Sequence, residues 1–263
     1  MKLVFDIPQL IPYINWPYFF FAWQLKDKAE QLRLQAEAES FLCRLQDRYH
    51  AYALFELLEA NSDGDDILLA RQHRMACLRQ QQGRAPYLCL ADFVRPLSSG
   101  IPDKVGVFAT SVDIGMEKDF DADPYRKMLA QLLADRLAEA AAERMHELVR
   151  KQYWGYAPDE ALSISDMLTE RFQGIRPAVG YPSLPDTSQN FFIDTLLNLR
   201  QIGIRLTESG AMRPHASVSG LMISHPQARY FSIGKIGEDQ LLDYARRRGL
   251  PLEVCRRFLA ANL

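Results

Sequence analysis

Residues Gly174–Asn190 read GIRPAVGYPSLPDTSQN. The run is too rich in Pro and Gly for a good helix or strand, yet it carries one arginine and ends in a polar tail. Arg176 stands between Ile175 and Pro177. A residue before proline is pushed into extended backbone, so the arginine leaves a stiff segment. A stiff mount lowers the entropic cost of holding a planar guanidinium fork against a carboxylate or phosphate. Gly180 permits close backbone approach, and Tyr181 offers a flat face with a hydroxyl. On these residues alone two readings stay open: an anion grip built round Arg176, or an ordered connection whose arginine faces water.

Upstream lies the clearest helix of the chain. Asp123 followed by Pro124 is a start signal, and PYRKMLAQLLADRLAEAAAERMHELVRKQ predicts a helix from Pro124 to about Gln152. Leu129, Leu132, Leu133, Leu137, Ala140, Ala141 and Leu148 form its apolar stripe. Asp135 and Glu139 stand one turn apart on one side, either as harmless solvated charges or in wait for a cation. An aromatic loop, YWGYAP, and a short helix from Ser163, capped with Asp166, lead into the opening stretch. Beyond it FFIDTLLNLRQIG predicts a helix closed by Gly203, and residues 206–237 alternate as strands do. Two amphipathic helices separated at Gly249-Leu250-Pro251 end the chain.

The first half predicts a helix from Asp27 to about Tyr52, with Leu32, Leu34, Phe41, Leu42 and Leu45 among charged positions. Two or three strands follow, turning at Asn61–Asp65, where Asp63-Gly64 supplies a positive-φ position. PYLCLADFVRP and DKVGVFATSVD are two further strand-like runs. This order predicts an α+β fold, a mixed and mainly antiparallel sheet flanked by helices, rather than a βαβ alternation. No repeat or low-complexity linker divides the chain, so residues 1–263 are expected to form a single domain.

With 48% hydrophobic and 24% charged residues and a formal net charge of −2, the chain is an ordinary globular sequence. It is too close to neutral to suggest nucleic acid. The apolar N-terminus is broken by Asp6, Pro8, Pro12 and Pro17 into pieces too short to span a bilayer, and it lacks a cleavage site; no membrane role and a cytoplasmic location are expected. Cys43, Cys77, Cys89 and Cys255 are scattered, which predicts four buried thiols rather than a metal site or a disulfide framework. The usual hydrolase, zinc-protease, nucleotide-triphosphatase and dinucleotide signatures are absent, and the five histidines have no metal-ligand spacing.

GIRPAVGYPSLPD resembles the R-P-A-x-G-Y-P signature of the S-adenosylmethionine-binding activation domain of vitamin B12-dependent methionine synthase. YINWPYFFFAWQL, LADFV, ADRLAEAAAE, RKQYWGYAPDE, LTESGAM, ASVSG, SHPQARYF and DQLLDYARRRG resemble that domain in the same order. In that family the domain holds S-adenosylmethionine and supports reductive remethylation of oxidised cobalamin, with flavodoxin as electron donor. The resemblance covers essentially the whole chain and includes no folate, homocysteine or cobalamin domain. It therefore implies an activation subunit acting on cobalamin carried by a partner chain, a methionine synthase or other corrinoid methyltransferase. The alternative is a catalytically degenerate fold kept as a non-enzymatic binding or regulatory module.

By resemblance, Arg176 pairs the ligand's carboxylate, and the backbone at Ala178, close to Gly180, with the pair Tyr230-Phe231 receives adenine and ribose. Sheet core is the other reading for at least one of those two aromatics. Resemblance also places Tyr181 facing the cobalamin, Asp135 on the surface that meets the cobalamin domain, and Glu139 and Glu170 along the same cleft. Two positions depart from the family. Its Y-I-D-W is Tyr13-Ile14-Asn15-Trp16 here, so a carboxylate expected to balance the ligand's ammonium is a neutral amide. Its P-[DE]-H-T-E-K is replaced by Pro185–Asn190, PDTSQN, in a loop expected on the cobalamin-facing rim.

Overall fold

The computed structural model describes residues 1–263. The chain begins with strand β1 (Lys2–Asp6), the short helices α1 (Ile7–Leu10) and α2 (Trp16–Ala22), and helix α3 (Lys28–Leu45). Strands β2 (His50–Asp63), β3 (Asp66–Leu69), β4 (His73–Ala76) and β5 (Asp103–Val112) follow. Next come helices α4 (Gly115–Lys118), α5 (Pro124–Leu148), α6 (Ile164–Leu168) and α7 (Gln189–Leu197). Strands β6 (Arg205–Leu206), β7 (Met212–Arg213) and β8 (Ser217–Met222) precede the last helices, α8 (Glu238–Arg248) and α9 (Leu252–Phe258).

The main sheet is antiparallel, in the order β4-β3-β2-β5-β8. Strand β2 is long enough to pair twice along one edge. Its first part meets β1, with Leu54 opposite Lys2, and its end turns into β3. The turn is the one expected at Asp63-Gly64, where Gly64 has a φ of 59°. Both faces of the sheet are covered. Along β2 and β5, Ala51, Ala53, Phe55, Phe108 and Val112 join the core beneath α1, α3 and α5. Leu54, Val105, Val107 and Ala109 join the opposite core, capped by Ile193 and Leu197 of α7. Burial on both faces is why Val105–Ala109 of β5 carries no polar side chain.

Helix α5 crosses the sheet and packs on β2, β5 and β8. Asp123 caps it, accepting from the amides of Tyr125 and Arg126. Leu129, Leu133 and Leu137 are fully buried, each contributing about 1.5–3 kcal/mol relative to exposure. Alanines 134, 138, 141 and 142 let the sheet approach closely, and Thr110 of β5 donates to the Ala138 carbonyl at 2.9 Å. Past Leu148 the helix widens into a π turn at Val149–Tyr153.

Several expectations need correction. Helix α3 stops at Leu45 instead of Tyr52, because Tyr49–Ala53 is drawn into the sheet and its flank, and Leu32 faces solvent. PYLCLADFVRP is not a strand. Leu90–Phe93 forms a 3₁₀ turn closed by the Asp92 carboxylate on the Cys89 amide, with Leu90, Ala91 and Phe93 in the core. Of residues 206–237 only β6, β7 and β8 are regular. Cys43 is exposed, while the other three thiols are buried.

The polar tail Asp186–Asn190 is the largest correction, since Asp186, Ser188, Gln189 and Asn190 are buried rather than on a rim. Asp186 accepts from Tyr244 at 2.7 Å and Arg248 at 3.1 Å, both on α8. Gln189 donates to the Ala76 carbonyl and to Tyr244. Asn190 donates to the Gly210 carbonyl and accepts from Ser219. The tail starts α7 and ties α8, β4 and β8 together, which is why it is polar yet hidden: buried polar groups are retained when their partners are present.

Candidate functional site

The Arg176 segment is fastened along the free edge of β8. Ile175 and Ile223 exchange both backbone hydrogen bonds at 2.9 Å, Leu221 donates to the Pro177 carbonyl at 3.0 Å, and Val179 donates to Ser219 at 2.9 Å. Ala178 lies opposite Gly220 in this ladder. A Cβ on Gly220 would stand 2.2 Å from the Pro177 oxygen, so the approach requires glycine there. Gly180, with φ of 86°, then reverses the chain, donating its amide to Leu184, and exposes Tyr181 at the tip.

From this mount the Arg176 side chain reaches helix α5. Nη1 donates to the Ala142 carbonyl at 2.9 Å and Nη2 to Glu143 Oε2 at 3.1 Å. Only two of the guanidinium's five N–H groups are thereby spent. The Arg176 amide donates to the Tyr230 hydroxyl at 2.9 Å, so Tyr230 braces the same residue from the other side. Glu170, just after α6, has a left-handed backbone with φ of 60°, uncommon for a residue with a side chain. Partial burial raises its carboxyl above the usual range, opposed by the charge of Arg176.

A cavity of about 270 Å³ opens beside this cluster, walled by Asp135, Arg136 and Glu139 of α5, by Val179 and Tyr181, and by Met212, His215 and Ser217 near β8. Arg136 donates to Glu139 at 2.7 Å, which supplies the cation that the carboxylate pair lacked. Asp135 has no such bond. Burial pushes its carboxyl up to about 6, and Glu139 is raised for the same reason. These carboxylates therefore form the wall of a cleft and not a solvated face. The Tyr181 phenol is also raised, first by partial burial and then by Glu139; Tyr18 of α2 lies close enough to contribute.

Glu139, Glu170 and Tyr230 thus come together around Arg176, and Asp135, Glu139 and Tyr181 around the adjoining cavity. Two expected residues make no hydrogen bond to this cluster. Phe231 packs its ring against Phe93 in the core while its backbone amide and carbonyl both bond the Ser183 hydroxyl. Asn15 precedes α2 without a side-chain capping bond, and no hydrogen bond links it to Arg176. Sequence reasoning overlooked Glu143 and His146, which continue the Asp135–Glu139 stripe inward along α5, and Arg150 in the π turn that follows. His146 is fully buried and held neutral by burial and by the charges of Arg176 and Arg150. Arg150 is fully buried as well, paired at two points with Glu160 and stacked 4.3 Å from the Phe172 ring. The available signal was the helical spacing of ionisable residues on an alanine-rich face.

Residues 6–249 match the family model for the vitamin B12 dependent methionine synthase activation domain. The chain belongs to that family. A crystal structure of the MetH reactivation domain bound to AdoHcy superposes with a TM-score of 0.95 at 40% sequence identity, covering 100% of this chain and 90% of that one. The activation-domain fold, with its α+β layers and antiparallel sheet, is accordingly the fold of this chain. No helix is long and apolar enough to cross a membrane.

Proposed function

We propose that this activation domain binds S-adenosylmethionine in the cleft between α5 and the Arg176 segment. There it supports reductive remethylation of a cobalamin held by a separate methionine synthase or corrinoid chain in the cytoplasm. The observation that carries the reading is the mounting of Arg176: backbone fixed to β8, fork fixed to α5, and most of its donors unspent. A planar carboxylate is the ligand such a fork suits best. The AdoHcy bound to the structural neighbour has such a carboxylate, and it also has the adenine and ribose for which Ala178, Tyr230 and the flanking Phe231 are proposed.

In this reading the chain's residues bind and orient; none of them reacts. Arg176 takes the ligand carboxylate, Glu139 and Glu170 set the charge of the cleft, and Asn15 faces the ammonium. Tyr181 and Asp135, at the open end, meet the cobalamin and its domain. The cobalamin supplies the methyl-accepting metal and flavodoxin supplies the electron, both from outside these residues. Burial of Asp186, Ser188, Gln189 and Asn190 weakens one of two motives for a degenerate, non-enzymatic module. Asn15 alone still favours it.

The test is reactivation in trans. A corrinoid methyltransferase lacking its own activation domain is oxidised, then given this chain, reduced flavodoxin and S-adenosylmethionine. Recovery of the methylcobalamin absorption spectrum, dependent on all three additions, is expected. Ligand binding without recovery would favour the binding module instead.

A further inference from the structure

Nothing in the Pro-Gly segment fixes the arginine side chain itself, which keeps several rotatable bonds beyond a rigid backbone. Its direction is set on α5, by the Ala142 carbonyl and by Glu143. Glu143 is an unusual partner. Its side chain is only 9% exposed, and its second oxygen, Oε1, is buried without any hydrogen bond. Glu143 balances the charge of a guanidinium that is itself mostly buried, yet one of its oxygens is left without a partner, a costly arrangement for charge balance alone.

We infer that Glu143 is a positioning residue: it holds the Arg176 fork so that the unspent N–H groups meet the ligand's carboxylate, and it acts on the ligand only through Arg176. This rests on the S-adenosylmethionine reading above. No other cation is hydrogen-bonded to Glu143. His146, one turn further along α5, is buried and neutral, and its Nδ1 has no partner. Arg150, the next cation, is paired with Glu160 through Nε and Nη2, while its Nη1 has no partner. Tyr230 bonds the Arg176 backbone and leaves the guanidinium alone. Glu143 is thus the only carboxylate hydrogen-bonded to Arg176, and its side chain is almost wholly buried.

A mainly structural role and a positioning role separate by ligand. S-Adenosylmethionine and S-adenosylhomocysteine carry the carboxylate; 5′-methylthioadenosine keeps the adenine, ribose and sulfur and lacks it. Dissociation constants for all three are measured on the wild type, Glu143→Gln, Arg176→Ala and the double variant. Glu143→Gln keeps the shape and one hydrogen-bonding oxygen, and circular dichroism with a melting curve confirms that it folds. We expect Glu143→Gln to weaken the two carboxylate ligands roughly tenfold, leave 5′-methylthioadenosine within about twofold, and add nothing in the Arg176→Ala background. Equal weakening of all three ligands, or unchanged or tighter binding of the carboxylate ligands, overturns the positioning role while leaving the ligand site intact. A wild type that binds none of the three overturns the site and the inference together.

Discussion

Gly220 lies beneath the carbonyl of Pro177 so closely that a Cβ on it would come within 2.2 Å of that oxygen and 2.8 Å of the Ala178 Cα. Both contacts are backbone and neither can rotate away. Gly220→Ala is therefore expected to push the Arg176 segment off β8, costing about 1–3 kcal/mol of stability and abolishing ligand binding. Gly180→Ala meets only the Thr187 methyl at 3.5 Å, but its φ of 86° strains any side chain. It should destabilise less. Chemical denaturation of both variants, with ligand titration beside it, checks the order.

Asp186 shows that a polar loop here has a structural purpose. It is 2% exposed and serves Tyr244 and Arg248 at once. Asp186→Ala leaves a mostly buried arginine, its side chain 12% exposed, without its carboxylate, and such a loss costs up to about 3–5 kcal/mol. A lower melting temperature is expected, with ligand affinity unchanged at temperatures where the variant stays folded. Loss of affinity without loss of stability would return this loop to the rim.

Asp135 ties stability to pH. Burial raises its carboxyl from 3.8 to about 6, so between those values the folded chain holds a proton that the unfolded chain has released. Stability from this group is complete below the unfolded value and is lost as pH rises through about 6. Asp135→Asn removes the penalty. The variant should match the wild type in melting temperature near the acid end of this window and exceed it above pH 7, measured by thermal melts across the range.

The resemblance to Y-I-D-W implies a carboxylate at the position that Asn15 occupies. Asn15→Asp restores a charge for the ligand's ammonium and should tighten S-adenosylmethionine by about tenfold, the worth of one charge-assisted hydrogen bond. Because an acid before α2 also favours the helix on its own, the readout is the dissociation constant and not the melting temperature. No change in affinity would place the ammonium elsewhere in the cleft.

The elements read correctly from sequence were those whose signals are local. Asp123-Pro124 starts α5, Ser163 with Asp166 caps α6, Asp63-Gly64 turns β2 into β3, and Gly249 ends α8 with φ of 62°. The readings that failed depended on distant partners. LADF looks like a strand until its three apolar residues turn together into one core, and PDTSQN looks exposed until α8, β4 and Gly210 close over it. At the site, Arg176 was legible because proline and glycine mark its mount. Glu143 was not, because one acid on an alanine-rich helix resembles a solvated charge, and its arginine arrives from 33 residues away.

Titration calorimetry of the purified chain with S-adenosylmethionine, run beside Arg176→Ala, decides whether the cleft between α5 and β8 holds this ligand. Saturable heat in the wild type is expected, with affinity at least about tenfold weaker in the variant. A flat titration at millimolar ligand, together with a melting temperature that the ligand does not move, would contradict it.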